Sequence, residues 1–419
     1  MGQRPHATAR RLDAGFWIVA FAFLVVMAFS TVPSPLYGLY QQRDGFSSFT
    51  VTVIYAAYAV GVVAALLLAG HVSDWYGRRR VLLPAIALSI LSAGVFLVWR
   101  DVPGLLVARV LNGLSVGAVA STATAYLTDL HAAARPAAGP RRAQLGSTAA
   151  NIGGLGVGPI VAGVLAAWVA HPLSLPYLVF LAALAAAGLL VLWVPEPRER
   201  PRPAPAYRPQ RVSVPAEARA PFAAAAIGAF LAFGALGLFT GLAATFLVGT
   251  LHHGSHALAG AAVSAMFFGG VAVQLATSRW SVRAVLATGI ALMLAGLVLV
   301  VVAAWLPTPS LALFLLGGAL AGGGAGTVFK GAVGTVIEIS PPETRAEALA
   351  GLFLAGYIGL SVPVVGAGIA LQVVSAKVTL LGFAVIVGGG ILAATPRLLG
   401  AGGGAGLPSL RAPRSRPAA

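Results

Sequence analysis

The chain has 419 residues, 58% of them hydrophobic and 9% charged, with a mean hydropathy of +0.90. A soluble domain carries about 25% charged residues, so a water-covered fold is excluded, and recurring apolar runs of roughly 20 residues are each long enough to cross a hydrocarbon core. The formal charge of +16 raises nucleic acid as a partner, and the absence of cysteine rules out disulfides, thiolate nucleophiles and Cys-ligated metals.

The hydropathy pattern predicts twelve helices, at 16–38, 49–70, 81–99, 103–127, 145–170, 174–194, 222–249, 257–277, 284–305, 309–337, 348–372 and 378–395. The first run is long and lacks a small-residue cleavage pattern after a short core, so it reads as a retained helix rather than a removed leader. Pro33 and Pro35 near its outer end cannot both continue a regular helix, which predicts an unwound tip. The turns fall at Pro or Gly, as at Pro103-Gly104 and Pro341-Pro342. The expected organisation is an N-terminal segment over 1–15, a six-helix bundle over 16–194, a linker over 195–221, a second bundle over 222–396 and a disordered tail over 397–419. The linker interleaves Arg198, Arg200, Arg202, Arg208, Arg211 and Arg219 with prolines, a composition that cannot pack a core.

The charges follow this plan. With the N-terminus inside, 22 of the 27 cations fall on inner segments. The outer loops hold only Arg43, Arg100 and Lys377. That asymmetry places both termini in the cytoplasm of a cell-membrane protein and explains the basic surplus as topology, leaving no case for nucleic acid. The two halves also echo each other at an offset of 204–206 residues: Pro103 with Pro309, Pro159 with Pro363. Two pseudo-symmetric six-helix bundles place a ligand site between the halves near the midplane.

Between helices 2 and 3 the chain reads Gly70-His-Val-Ser-Asp74-Trp-Tyr-Gly77-Arg78-Arg79-Arg80. This resembles the loop motif of the major facilitator superfamily, in particular its twelve-helix drug-efflux-like branch, with Trp75 where the family usually has Arg. The resemblance covers about residues 12–397. It implies that Asp74 latches onto the start of helix 11 and that Arg78 or Arg80 pairs with Asp129 at the end of helix 4 as a cytoplasmic gate. Glu338, with Arg279 or Arg283, is the implied counterpart in the second half.

Helix 4 carries Arg109-Val-Leu-Asn112-Gly113, resembling a family pattern of buried Arg followed by Gly. A cation in a span is a functional candidate by default, although Arg109 lies near enough to Pro103 to snorkel outward instead. Helix 5 carries Gly154-x3-Gly158-Pro159 and Gly163, similar to the motif that marks antiporters, with Gly146 and Gly163 each one residue out of register. Proline and glycines there permit a bend and close packing against helix 8. Helix 10 places Lys330 between glycines, so that it either faces the central cavity or snorkels to the cytoplasmic side or pairs with Glu338. Asn151, Gln274, Tyr357 and Tyr37 are further cavity candidates, Tyr37 and Tyr40 doubling as interface anchors.

His252, His253 and His256 lie in an outer loop without acids, so no metal is expected. No nucleotide-binding loop and no catalytic constellation appears at membrane depth, so neither a cofactor, nor ATP-driven transport, nor an enzyme is expected. The resemblance implies a monomeric transporter in the lipid bilayer, exporting small, often hydrophobic, molecules by alternating access with the proton gradient. The same fold also serves uptake or facilitated diffusion of a polar solute such as a sugar or organic acid. All eleven acids lie in loops or at helix ends. Either Asp129 or Glu338 titrates, or Lys330 or the substrate itself carries the proton, or transport is uncoupled.

Overall fold

A computed structural model describes residues 4–70, 72–197, 209–210, 212–341 and 343–401. The linker residues Arg198, Arg200, Arg202, Arg208 and Arg211 and the tail beyond Ala401 lie outside the described residues. The described chain is all helix and turn: α1 (Arg4–Thr31), α2 (Tyr37–Asp44), α3 (Ser48–Ala69), α4 (Val72–Tyr76), α5 (Arg78–Val98), α6 (Val102–Ala134), α7 (Arg141–Trp168), α8 (Leu175–Val191), α9 (Arg219–Gly249), α10 (His256–Ala276), α11 (Val282–Trp305), α12 (Leu311–Ile339), α13 (Arg345–Ala370) and α14 (Ala376–Ala401). Among the described residues, eleven helical stretches are long and apolar enough to cross a membrane, and Leu175–Val191 is a shorter apolar helix in the sixth position.

Local chemistry accounts for the ends. Ser47, Asp101, Ser255, Ser281 and Ser310 each accept from a backbone N–H of the first turn that follows. Gly45 closes α2 with φ +68°, and Gly77 stands before α5 with φ +97°, a backbone that L side chains rarely adopt. The paired prolines after α1 do interrupt it, but the chain tightens into one 3-10 turn (Ser34–Leu36) and resumes as α2 rather than unwinding. Two boundaries differ from expectation: α1 begins inside the expected N-terminal segment at Arg4, and α14 runs on through Pro396 to Ala401, into the expected disordered tail.

The packing is two-fold in character. Within the first half α1 lies on α7, α3 on α6, α5 on α6, and α8 against α1 and α5. The second half repeats this set: α9 lies on α13, α10 on α12, α11 on α12, and α14 against α9 and α11. Glycine allows the closest crossings. Gly61 of α3 and Gly113 of α6 face each other, and a Cβ on either would fall on the partner's backbone. The halves meet along α3 with α13 and along α7 with α10. We call the face where α1 begins and α14 ends the near face. At the opposite, far face, Thr52 packs on Gly368 and Gly163 on the first turn of α10. The 3-10 turn also reaches α9 and α10 there. At the near face, part of the linker returns between the halves: Gln210 donates its backbone N–H to Leu67 O at 2.8 Å, and Val212 packs on Gly351.

Candidate functional site

Arg109 sits seven residues below the start of α6, about 10 Å along the axis. Its guanidinium does not snorkel to the far surface. The residue is 2% exposed, donates from Nη1 to Ser30 O of α1 at 2.8 Å, and lies over the rings of Tyr58 at 4.5 Å and Tyr55 at 5.6 Å, both from α3. These cation–π contacts offset part of the desolvation of a buried cation. No described Asp or Glu forms an ion pair with it, and its Nε has no protein partner. One turn on, Asn112 is buried with neither its amide nitrogen nor its oxygen bonded, and the buried Tyr37 hydroxyl is also unpaired. Leaving such groups unmatched costs about 1–3 kcal/mol each. The site thus holds unused donors around one uncompensated positive charge.

The site joins both halves. Tyr55 and Thr240 of α9 share a 2.6 Å hydrogen bond, and the Tyr58 ring meets that of Tyr357 of α13 with centroids 6.4 Å apart. Tyr40 is a packing residue, buried and bonded to the Tyr177 hydroxyl at 3.2 Å.

Lys330 forms no ion pair with Glu338 and reaches towards the near-face end of α10, the direction of the snorkelling alternative. Its ammonium donates to Gln274 O at 2.9 Å and Thr277 O at 3.1 Å, satisfying carbonyls at the last turn of α10. Gln274 in turn donates to Gly326 O at 2.9 Å. Both side chains therefore clamp α10 to α12. Asn151 is half-buried in α7.

In α7, Pro159 deprives the Leu155 carbonyl of its helical donor, and the Thr31 hydroxyl of α1 supplies one at 3.0 Å. Ser264 of α10 donates to Gly156 O at 2.6 Å. Gly154 and Gly158 rest on the backbone of α1, and Gly163 on α10. The pattern thus packs α7 against two helices, one from each half.

At the near face, Arg78 is 5% exposed at its side chain and is triply engaged: Nε to Asp129 Oδ2 at 3.0 Å, Nη2 to Asp74 Oδ1 at 2.8 Å and Nη1 to Ser73 Oγ at 2.7 Å. Arg79 donates to Leu192 O and Val194 O, capping the end of α8, while Glu196 accepts from the Arg79 N–H at the start of α5. Gly70 lies beside Gln210, and Arg80 is exposed. Glu338, Arg279 and Arg283 are exposed and form no ion pair with one another, so the second-half counterpart of the Arg78–Asp129 pair is not assembled. An unexpected cluster joins three helices instead: Arg135 donates to Asp13 at 2.6 Å and Arg142 to the same carboxylate at 3.4 Å. Tyr55, Tyr58 and Asp13 were the residues missed from sequence. The three-residue spacing of the tyrosines on one helix face was the available signal.

Residues 19–290 match the family model of the Major Facilitator Superfamily. The arabinose-proton symporter of Bacillus subtilis (strain 168) is 32% identical over 100 residues, 24% of this chain and 22% of that protein. The 3-(3-hydroxy-phenyl)propionate transporter of Escherichia coli (strain K12) is 35% identical over 89 residues, 21% of this chain and 20% of that protein. The bacillibactin exporter of Bacillus subtilis (strain 168) is 26% identical over 153 residues, 35% of this chain and 37% of that protein. The chain therefore spans well under half the length of these curated relatives. Its fold matches solved structures almost end to end: the nucleoside transporter NupG at TM-score 0.66 with 14% identity, covering 93% of this chain and 98% of that one, and the human organic anion transporter MFSD10 at TM-score 0.66 with 18% identity, covering 93% of this chain and 99% of that one. The family match over well over half of the sequence and the helical fold agree: the chain belongs to the Major Facilitator Superfamily.

Proposed function

We propose that the protein takes up a small polar organic acid by alternating access, with the substrate carboxylate held at Arg109. The observation that carries this reading is the buried Arg109 guanidinium with no acidic partner among the described residues and an unpaired Nε. A cation in such surroundings attracts an anion more strongly than in water, by about 4 kcal/mol at 4 Å for an effective dielectric of 20 against about 1 kcal/mol in water. The planar guanidinium fork matches a carboxylate, and Asn112 and Tyr37 offer further donors. The relatives favour polar solutes over the hydrophobic cargo expected from the loop motif, since two are named as a sugar symporter and a propionate transporter.

The charge asymmetry assigns the near face to the cytoplasm. Counting Leu175–Val191 as a crossing gives twelve helices in two bundles, with both termini on that side. Arg78, Asp129 and Asp74 then act at the cytoplasmic gate, and one chain supplies the whole path. The substrate then enters as its carboxylate together with a separate proton, so transport follows an inward proton gradient.

Export is the second reading. Two observations favour it: the Gly154–Gly163 segment that seals α7 against α10, and the match to an exporter over 153 residues. It retains the drug-efflux-like assignment.

Proteoliposomes with an imposed proton gradient test both. The expected result is inward movement of radiolabelled carboxylates, faster with acid outside and lost in Arg109→Gln. Arg109→Lys, which keeps the charge but not the fork, should weaken affinity while preserving some transport. Movement of lipophilic cations at equal rates in wild type and Arg109→Gln would overturn the reading.

A further inference from the structure

Tyr55 touches Arg109 on one side and the second half on the other. Its ring lies under the guanidinium, whose carbon is 5.6 Å from the ring centroid. Its hydroxyl is 2.6 Å from Thr240 Oγ1 of α9, and both residues are buried. The Thr240 hydroxyl donates its one proton to Leu236 O of its own helix at 2.8 Å, so across the seam Tyr55 is the donor and Thr240 the acceptor. The Tyr55 ring also rests against Gly241, where α9 has no side chain to hold it off.

Space filling alone does not explain this residue. A phenylalanine would occupy the same volume, and a buried hydroxyl is unfavourable unless it is bonded. Tyr40 is the comparison: its hydroxyl bonds to Tyr177, and both residues belong to the first half. Tyr55 directs its hydrogen bond to the opposite half. One turn earlier on α3, Thr52 is buried against Gly368 of α13, where a Cβ would overlap the threonine side chain. Thr52 therefore marks the closed far face, and Tyr55 lies between that closure and Arg109. The halves cannot part at the far face without breaking the bond to Thr240, because a hydrogen bond does not survive a rigid-body separation of its partners.

We infer that Tyr55 is a positioning residue that couples Arg109 to the far-face closure, its ring bearing on the guanidinium and its hydroxyl holding α9. The ring is rigid, so its two ends do not move independently. When Arg109 turns towards an anion, the ring loses its brace and the bond to Thr240 weakens. Engagement of Arg109 then changes how readily the far face opens. The link to a carried anion rests on the reading of Arg109 above. The assay below contains no substrate, so it succeeds or fails independently of that reading.

Thr52→Cys supplies a thiol that is covered while the far face is closed, in a chain with no other cysteine. Its rate of reaction with a maleimide, in purified protein in nanodiscs, reads far-face opening. Each rate is divided by that of Gly254→Cys, an exposed far-face thiol, in a parallel protein carrying the same further substitutions. Tyr55→Phe keeps the ring under Arg109 and should raise this ratio about twofold to tenfold, the range that one net hydrogen bond supplies. Thr240→Val removes the acceptor and should also raise it. The double variant should match Tyr55→Phe rather than the product of the two effects. Arg109→Lys should raise the ratio when Tyr55 is present and leave it unchanged once Tyr55→Phe is in place. An unchanged ratio in both single variants would overturn the inference, and so would effects of Tyr55→Phe and Thr240→Val that multiply, the sign of general loosening. An Arg109→Lys effect of equal size in both backgrounds would remove Tyr55 as the link.

Discussion

Gly260 of α10 packs its backbone onto the Pro159 carbonyl of α7, and a Cβ built there would overlap the oxygen. This contact between the halves should therefore be intolerant of a single methyl group. Gly260→Ala should cost about 1–3 kcal/mol through overpacking and slow transport. Gly153→Ala, in α7 but with nothing within 4 Å of the added Cβ, should melt at or above the wild-type temperature. Thermal unfolding of the purified variants compares them, and equal melting temperatures would remove the packing argument.

Lys330 should matter to stability rather than to substrate. Lys330→Met keeps most of the stem but leaves the Gln274 and Thr277 carbonyls without the ammonium, at a cost of about 1–3 kcal/mol. Substrate affinity should stay within the error of wild type. An unchanged melting temperature together with lost acid binding would return Lys330 to the cavity.

Arg78 has three partners and Asp129 only one ion pair, so their replacements should not be equivalent. Arg78→Ala should lower the melting temperature more than Asp129→Asn. The variant lacking Asp129 keeps the Asp74 and Ser73 contacts, and its side chain was already 25% exposed, where ion pairs contribute little. Asp129→Asn should instead change transport rate through the gate. Identical melting and identical rates would reduce the pair to a surface contact.

The chain has no cysteine, so each introduced thiol is a unique label. Ser278→Cys, exposed at the near face, should react with an impermeant maleimide only from the cytoplasmic side. Gly254→Cys, exposed at the far face, should react only from outside. The reverse pattern would invert the topology and with it the direction assigned to transport.

The membrane class and nearly every helix were legible because a span must be apolar along its whole length, a signal that needs no partner to read. The loop glycines and the Asp74–Arg78 pair were legible because a tight turn and a neighbouring charge pair are local, whereas the pairing of Asp129 with Arg78 came only from the family resemblance. Asp13 was not, since its partners Arg135 and Arg142 come from other helices. Glu338 showed the converse: its expected pairing with Arg279 or Arg283 looked plausible by symmetry, yet all three stay exposed.

What the sequence determined by itself was that this chain crosses a membrane many times, turns its basic loops to one side, and places two cations within its spans. What only the tertiary structure decided was the different use of those two cations. Lys330 meets the Gln274 and Thr277 backbone carbonyls at the end of α10, while Arg109 lies over two tyrosine rings with part of its donor edge unmatched. The desolvation cost of a buried charge is the same demand in both cases, but which groups meet it depends on how neighbouring helices pack, and hydropathy carries no record of that.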